Sequence, residues 1–408
     1  MTTYRVEEVA DGFYILRVND RYTRFFEALW EIPEGITYNA YLLQTPEGDV
    51  LFDGWKKPFA ALLVDALEQV TSPDRLRYIV VNHMEPDHSG SLEEVARWAP
   101  EARVLGHPLA GKMMAAYPRA RGRFRPVRDG EVLEIGGERI RFIHTPWLHW
   151  PETMMSWLES RRVLVTCDAF GGYGIFEGIY DDECTRWDDA VRAMKKYVVT
   201  VIGHYRDWIT RNLGKLSKLG VEPRLIAPAH GLVWRRDPKK VMEIYESLAR
   251  AEPVKGKVLV LYASMYGTVE MIVRRIACSL SRAGLKPVVY GFTDSTRPLV
   301  SEILTDAIDS EAIVIAAPTY EAEAFPLIRF AAEEICWKAS DGKRVVIVSS
   351  YGWGSVAAKR LKEVLEGCKY GVIDVIEYNA IGPAAIEPSE AERIAGEVAR
   401  AIAGGAGG

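Results

Sequence analysis

The chain has 408 residues, of which 48% are hydrophobic and 26% are charged, and its formal net charge is −5. This composition is typical of globular proteins and excludes a disordered or collagen-like chain. At about 150 residues per domain, the length predicts two or three domains. An acidic chain is unlike general nucleic-acid binders, which are usually basic. No apolar run approaches the roughly 20 residues of a membrane span, and no signal-peptide pattern is visible. We therefore expect a cytoplasmic protein with no nucleic-acid partner and no membrane attachment.

The five cysteines are scattered and contain no C-x-x-C pair. This pattern indicates reduced thiols in a cytoplasmic protein and excludes a cysteine-rich zinc site or an attached rubredoxin-like Cys₄ iron site. We interpret each cysteine as a small buried hydrophobic residue. They are Cys167, Cys184, Cys278, Cys336 and Cys368.

The N-terminal half begins with two apolar segments, 38–44 and 49–55, which flank a Pro-Glu-Gly turn and predict a β-hairpin. Other apolar runs predict strands over 76–83, 102–107, 139–146, 162–168 and 224–230. Helical patterns cover 59–70, 92–98, 187–198, 205–219 and 238–251. These elements indicate a mixed α/β domain.

The C-terminal half alternates apolar strands with helices, which is typical of βαβ units and a doubly wound parallel sheet. Strands are predicted over 257–264, 286–292, 312–320, 343–350 and 372–378. Helices are predicted over 269–283, 299–308, 327–337, 356–365 and 390–401. A linker over 251–257 predicts domains 1–253 and 254–408, and the glycine-rich end of the chain is expected to be disordered.

Potential metal ligands are crowded at the end of one predicted strand, where His83, Glu85, Asp87 and His88 fall within six residues. Pro86 favours a turn, which would bring them together. Such crowding of imidazoles and carboxylates is costly unless a cation neutralises it. The segment therefore predicts a metal site.

His149, Asp168 and His230 also follow apolar runs. Together the seven side chains exceed the needs of one four-coordinate metal, which indicates two metals. Imidazole and carboxylate without thiolate suit iron, manganese or zinc, and Asp168 could bridge the ions. We interpret the remaining histidines as structural, namely His107, His144 and His204.

The pattern H-x-E-x-D-H, followed by H, D and H, resembles the metallo-β-lactamase fold, whose zinc hydrolases carry H-x-H-x-D-H. Glu85 replaces the middle histidine here, which is a mark of the flavodiiron proteins, also called A-type flavoproteins. The segments EGITYNAYLL, NHMEPDHSGSL, HWPET, CDAFGGYG and IAPAHGLVWR are similar to that family as well. The resemblance covers nearly the whole chain. It implies an α/β protein with an N-terminal metallo-β-lactamase-like αβ/βα domain and a C-terminal flavodoxin-like doubly wound parallel sheet.

The resemblance also implies a diiron site. On the family pattern, one iron is held by His83, Glu85 and His149, the other by Asp87, His88 and His230, and Asp168 bridges them.

A loop after the first strand of the C-terminal half, 264–270, opens a helix, which is where flavodoxins hold the phosphate of FMN. No G-x-G-x-x-G is present, so a dinucleotide site is not indicated. Loops after the third and fourth strands meet the same sheet edge and, by the resemblance, flank the flavin ring. The predicted FMN-binding residues are Ser264, Met265, Tyr266, Gly267, Thr268, Val269, Pro318, Thr319, Tyr320, Ser350, Tyr351, Gly352, Trp353 and Gly354.

One position departs from the family. Its usual motif is S-M-Y-G-N-T-E, whereas this chain has Thr268 and Val269 in place of Asn-Thr. Val269 lacks a hydroxyl, and a hydrogen bond to a charged group contributes roughly 1.5–3 kcal/mol. Its loss would weaken FMN binding about 10- to 100-fold unless Thr268 compensates.

The two halves together predict an oxidoreductase that passes electrons from FMN to two irons and reduces O₂ to water, NO to N₂O, or both. The resemblance implies a head-to-tail homodimer or a dimer of dimers. It also implies an external donor, either a rubredoxin-like protein or a reduced deazaflavin or nicotinamide system. Three alternatives remain at this stage. They are a zinc or manganese hydrolase of the same fold, an electron-transfer flavoprotein without oxidant reduction, and a binding module that has lost FMN.

Overall fold

The computed structural model describes residues 4–339, 342–368, 370–379 and 387–404. The chain forms two compact units, residues 1–249 and 250–408, which divide just before the predicted linker. The last four residues of the glycine-rich end, expected to be disordered, lie outside the described residues. No described helix combines the length and apolar character needed to cross a bilayer.

Two mixed sheets form the centre of the first unit. Its strands are β1 (Tyr4–Ala10), β2 (Phe13–Asp20), β3 (Phe25–Phe26), β4 (Trp30–Glu31), β5 (Ile36–Leu43), β6 (Asp49–Phe52), β7 (Leu76–Val81), β8 (Arg103–Gly106), β9 (Phe124–Pro126), β10 (Val132–Ile135), β11 (Glu138–His144), β12 (Met154–Leu158), β13 (Val163–Cys167) and β14 (Leu225–Pro228). One sheet has the order β1-β2-β5-β6-β7-β8-β9, the other runs from β10 to β14 in sequence, and β3 pairs with β4.

The helices of the first unit connect these strands. They are α1 (Ala60–Leu67), α2 (Pro86–Ser89), α3 (Leu92–Trp98), α4 (Ala110–Met113), α5 (Pro118–Arg121), α6 (Trp187–Tyr197), α7 (Arg206–Lys218) and α8 (Pro238–Ala249). A π-helical turn, Val198–Ile202, follows α6, and 3₁₀ turns cover Lys57–Phe59, Met114–Ala116 and Gly203–Tyr205.

The core of the first unit lies between the two sheets. Phe13 and Phe52 of the first sheet and Phe142 and Val165 of the second belong to one buried cluster. Each is at most 1% exposed, and burying a side chain of this size contributes about 1.5–3 kcal/mol. This packing fixes the strand ends that carry the polar residues described below.

The second unit is a three-layer α/β structure. Its strands are β15 (Lys257–Ala263), β16 (Lys286–Phe292), β17 (Ala312–Tyr320), β18 (Glu323–Ala324), β19 (Arg344–Tyr351) and β20 (Gly371–Asn379). Its helices are α9 (Thr268–Arg282), α10 (Val300–Ala307), α11 (Pro326–Lys338), α12 (Ala357–Gly367) and α13 (Pro388–Gly404).

The sheet of the second unit has the order β16-β15-β17-β19-β20, all parallel, with β18 pairing antiparallel to the end of β17. The predicted doubly wound parallel sheet is therefore confirmed. Because β15, β17 and β19 are neighbours, the three loops that follow them meet at one sheet edge, beside the switch in strand order.

Most predicted elements are confirmed, including the antiparallel β5–β6 hairpin. The sequence interpretation did not identify the antiparallel hairpin that β1 and β2 form around Asp11-Gly12. It also did not identify β3, β4, β9, β10, β12 and β18. β1 alternates exposed and half-buried residues, so it lacks the continuous apolar run used to recognise the other strands.

The interpretation of all five cysteines as buried, reduced residues is wrong. Cys336 and Cys368 form a disulfide, Cys278 is exposed, Cys184 is half-buried, and Cys167 is a free, buried thiol. The two bonded cysteines are 32 residues apart and meet because their helices pack side by side, which the spacing alone does not reveal.

Candidate metal centre

Strand ends bring the seven predicted ligands together in the first unit. His83 follows β7, His149 lies in the β11–β12 loop, and Asp168 and His230 follow β13 and β14. The turn predicted around Pro86 is the short helix α2, which carries Asp87 and His88. The two sheets thus converge on one buried site.

The first group consists of His83, Glu85, His149 and Asp168. One oxygen of Glu85, Oε2, lies 2.8 Å from His149 Nε2 and 3.3 Å from His83 Nε2. Asp168 Oδ2 lies 3.5 Å from His83 Nε2 and 3.6 Å from His149 Nε2. Two imidazole nitrogens and two carboxylate oxygens therefore surround one point.

The second group consists of Asp87, His88 and His230, next to the other oxygen of Asp168. Asp168 Oδ1 lies 2.9 Å from His88 Nε2 and 3.4 Å from His230 Nε2. Asp87 Oδ1 lies 3.3 Å from His88 Nε2, and Asp87 Oδ2 lies 3.2 Å from His230 Nε2. Asp168 thus presents one oxygen to each group, which is the arrangement of a bridging carboxylate.

Further hydrogen bonds orient these side chains. His83 Nδ1 donates to Glu152 Oε1 over 2.8 Å, and His230 Nδ1 donates to the carbonyl of Thr37 over 2.8 Å. The hydroxyl of Tyr197 donates to Asp168 Oδ1 over 2.6 Å. These bonds turn the Nε2 atoms of both histidines toward the site, as is usual for histidines that bind metals.

Several buried polar atoms at the site have no hydrogen-bond partner among the described residues. They are both carboxylate oxygens of Asp87, Asp168 Oδ2 and His230 Nε2. Buried polar atoms without a partner are rare and costly. Oxygen and nitrogen atoms aimed at a common point, with no thiolate among the seven residues, fit two metal ions of borderline hardness.

The carboxylates of the site favour protonation of His230, and its histidines favour ionisation of Glu85. Burial opposes the charge of His230, but the carboxylates of Asp168 and Asp87 raise the pKa of its ring to about 10. Burial also opposes the charge of Glu85, yet hydrogen bonds from His149 and His83 lower the pKa of its carboxyl to about 2. A metal must displace the imidazole protons, so its affinity is expected to fall as the pH falls.

Sequence reasoning missed Glu152 and Tyr197. Glu152 lies within HWPET, a segment already quoted for its family resemblance, and its buried acid beside a candidate ligand was a usable signal. Tyr197 is fully buried at the end of α6, and no local pattern distinguished it from a core residue.

The three histidines interpreted as structural lie outside the groups of candidate ligands found among the described residues. The rings of His107 and His144 contact each other, with centroids 4.1 Å apart and planes tilted by 52°. Burial lowers the pKa of His107 to about 4, and charge repulsion from the His144 ring acts in the same direction. His204 contacts the ring of Tyr205.

The second unit has a pocket where the three predicted flavin loops meet. Its lining comprises Ser264, Met265, Tyr266, Thr268, Val269, Pro318, Thr319, Ser350, Tyr351 and Gly352. The other four predicted residues, Gly267, Tyr320, Trp353 and Gly354, do not line it.

Gly267 shapes the first loop even though it does not line the pocket. Its φ of 84° is left-handed, a conformation that favours glycine, and it directly precedes α9. The free backbone N–H groups at the start of α9 make this end of the helix suited to a phosphate. Val269 is 2% exposed and belongs to the core of the unit, so the departure from the family motif places a core residue in the pocket wall.

Known proteins resemble this chain along almost its full length. Residues 36–231 match a family model described as ODP family beta lactamase. The chain is 31% identical over 377 residues to a coenzyme F420H₂ oxidase of Methanothermobacter marburgensis, covering 90% of this chain and 91% of the relative. It is 28% identical over 370 residues to a nitric oxide reductase of Moorella thermoacetica, covering 90% of each protein.

A solved structure of known family also matches the fold of this chain over nearly its full length. A flavo di-iron protein mutant from Thermotoga maritima superposes with a TM-score of 0.92 at 38% sequence identity, covering 99% of both chains. The sequence relatives and this structure show that the chain belongs to the flavodiiron, or A-type flavoprotein, family.

Proposed function

We propose that this chain is an oxidoreductase that passes electrons from FMN to a non-haem diiron site and reduces O₂ to water, NO to N₂O, or both. The observation that supports this most strongly is Asp168, whose two oxygens face two separate groups of ligands. A site for two metals in a chain that also has a flavin pocket fits a flavodiiron enzyme better than a single-cofactor protein.

The diiron ligands in this proposal are His83, Glu85, Asp87, His88, His149, Asp168 and His230. Two bound irons would supply binding and reduction of the oxidant, and FMN would supply electrons in pairs. Glu152 and the carbonyl of Thr37 keep the rings of His83 and His230 turned inward. The hydroxyl of Tyr197 donates a hydrogen bond to Asp168 Oδ1, with 2.6 Å between the two oxygens. Burial of the whole cluster excludes bulk water from the ligands.

FMN would bind in the pocket of the second unit, with its phosphate at the start of α9. Hydroxyls of Ser264 and Thr268 and the N–H groups of the helix can donate to the phosphate. Three exposed aromatic residues would flank the ring of the flavin: Tyr266, which lines the pocket, and Tyr320 and Trp353, which lie outside its lining. We accordingly propose residues 1–253 as the diiron domain and residues 254–408 as the FMN domain.

Three finer points belong to the same proposal. We propose a head-to-tail homodimer, or a dimer of such dimers, in which the flavin of one subunit faces the diiron site of its partner. The donor would be a rubredoxin-like protein or a reduced deazaflavin or nicotinamide system, and the F420H₂ oxidase name of one relative supports the deazaflavin. The location would be cytoplasmic.

The test is metal and flavin analysis of the purified protein, followed by turnover in deoxygenated buffer to which a known amount of O₂ or NO is added. We expect about two irons and one FMN per chain and consumption of at least one oxidant. Zinc or manganese without bound flavin would instead support a hydrolase. Flavin reduction without consumption of either oxidant would support a simple electron carrier.

A further inference from the structure

We propose that Cys336 and Cys368 are a reversible thiol–disulfide modification site, which reacts with low-molecular-weight thiols and disulfides and sets how tightly the second unit holds FMN. The proposal depends on the FMN pocket described above. It assigns a role to two residues that the electron-transfer chemistry leaves unused.

The two cysteines join the ends of two packed helices. Cys336 lies in the last turn of α11, and Cys368 directly follows α12. Their Cα atoms are 5.5 Å apart, within the range of a disulfide, so the bond can form and open without displacement of either helix.

The same site also accommodates the reduced form. The sulfurs of Cys336 and Cys368 lie 3.5 and 3.4 Å from the carbonyl oxygen of Val364, which can accept a hydrogen bond from a thiol. Val364 is in the last turn of α12, where helix carbonyls lack donors within the helix. The hydroxyl of Tyr370 donates to the carbonyl of Ile335 over 3.1 Å and ties the same two helix ends independently of the sulfurs. Reduction therefore loosens this junction without dismantling it.

Access to the bond is unequal. Cys336 is 6% exposed, whereas Cys368 is half-buried at a helix end. An incoming thiolate would attack the sulfur of Cys368 and form a mixed disulfide, while Cys336 leaves as a thiolate and takes up a proton. A second thiol then releases Cys368, so that two external thiols become one disulfide and the protein gains two thiols. Oxidation by an external disulfide is the reverse.

The opposite end of α12 is anchored at the flavin pocket, and α11 begins two residues after β18. Thr319, which lines the pocket, accepts hydrogen bonds at its Oγ1 from the N–H groups of Val356 and Ala357 over 3.1 and 3.2 Å. Glu323 of β18, next to the strand end that carries Thr319, forms an ion pair with Arg360 of α12 at 3.1 Å. A change in how α11 and α12 are joined at one end is thus transmitted to the loop that contacts the flavin at the other.

The disulfide limits relative movement of α11 and α12 and so favours one arrangement of the Thr319 loop. We expect the oxidised protein to bind FMN about fivefold more tightly or better, at the lower end of typical coupling between two sites. Reduction would then make the flavin easier to lose.

The test uses the full chain, stripped of FMN and equilibrated without oxygen in buffers of reduced and oxidised glutathione. Alkylation and peptide mass spectrometry measure the state of the two cysteines, and FMN titration followed by flavin fluorescence gives the dissociation constant in each state. The wild type should form the disulfide reversibly and show the affinity difference. Cys336→Ser should bind FMN equally in both buffers, and Cys278→Ser, which alters an exposed unpaired thiol, should behave as the wild type.

Two results would overturn the proposal. One is a Cys336–Cys368 pair that fails to interconvert over the whole range of glutathione ratios. The other is a wild type whose FMN affinity is the same in both states. Absence of FMN binding in either state would instead contradict the proposed flavin site.

Discussion

Asp168 shows what the individual residues of the metal centre contribute. Asp168 is fully buried. His88 and His230 each contact both Asp168 and Asp87. Burial alone would favour a neutral carboxyl group, but the surrounding imidazoles outweigh it and hold the pKa of Asp168 well below its usual value. The site is thus arranged to keep an anion between the two groups of candidate ligands.

Replacing Asp168 by Ala should empty or disorder both metal positions, because one side chain serves both groups. Iron analysis of the purified variant should find both irons depleted. Asp181→Asn is the matched control, since Asp181 is equally buried but bonds the backbone N–H groups of Arg235 and Arg236. Loss of a single iron, or full iron and activity in the Asp168 variant, would remove Asp168 from the bridging role.

The second prediction concerns Glu152, which is not a candidate ligand but hydrogen-bonds one, His83. Glu152→Ala leaves the Nδ1–H of His83 without its acceptor, and loss of such an orienting partner typically lowers metal affinity about 10- to 100-fold. Glu152→Gln should recover much of the affinity, because an amide oxygen can still accept that bond. Competition with a chelator of known iron affinity measures both variants. Equal affinities in the wild type and Glu152→Ala would contradict an orienting role for Glu152.

The sequence predicted these residues unequally, for a physical reason. The candidate ligands are recognisable because several acids and imidazoles crowd a few strand ends, which is costly without a cation. Tyr197 contacts Asp168 only because α6 packs over the site. A contact of that kind depends on the tertiary arrangement and leaves no local pattern.

At the scale of elements, continuous apolar runs located the buried strands and the helices between them. The parallel sheet of the second unit was predictable because its central strands are buried on both faces. The β1–β2 hairpin was missed because β1 alternates exposed and half-buried residues. The disulfide was missed because it depends on how α11 packs against α12.

The start of α9 provides the prediction for this scale. Val269→Thr keeps the shape of the side chain and adds a hydroxyl in the wall of the pocket. If the hydroxyl reaches the phosphate, FMN should bind up to about 10- to 100-fold more tightly, from a bond of roughly 1.5–3 kcal/mol. Titration of the apoprotein with FMN measures the change, and Thr268→Val should weaken binding. Unchanged or weaker binding in Val269→Thr would mean that Thr268 already supplies the hydroxyl or that the phosphate lies elsewhere.

At the scale of the whole molecule, the proposal requires two cofactors held by different units to exchange electrons. A metal-deficient chain, His83→Ala, and a flavin-deficient chain, Thr268→Glu, should each be inactive alone. Heterodimers of the two should recover activity, because each retains one flavin opposite one intact diiron site in the partner subunit. The control is each parent mixed with itself. Inactive heterodimers, in which each chain is shown to keep its remaining cofactor, would contradict the cross-subunit route.

The most direct test of the central claim is to mix the fully reduced protein, without external donor, with a known amount of O₂ or NO and to follow flavin, iron and product together. Reduction of O₂ to two waters takes four electrons, which one reduced FMN and two ferrous ions supply. We predict that one O₂ per chain oxidises flavin and iron together without release of hydrogen peroxide. If NO is the oxidant, we predict that flavin and iron are likewise oxidised together as N₂O forms. Flavin oxidation that leaves the iron unchanged, releases hydrogen peroxide and is equally fast in Asp168→Ala would contradict the account.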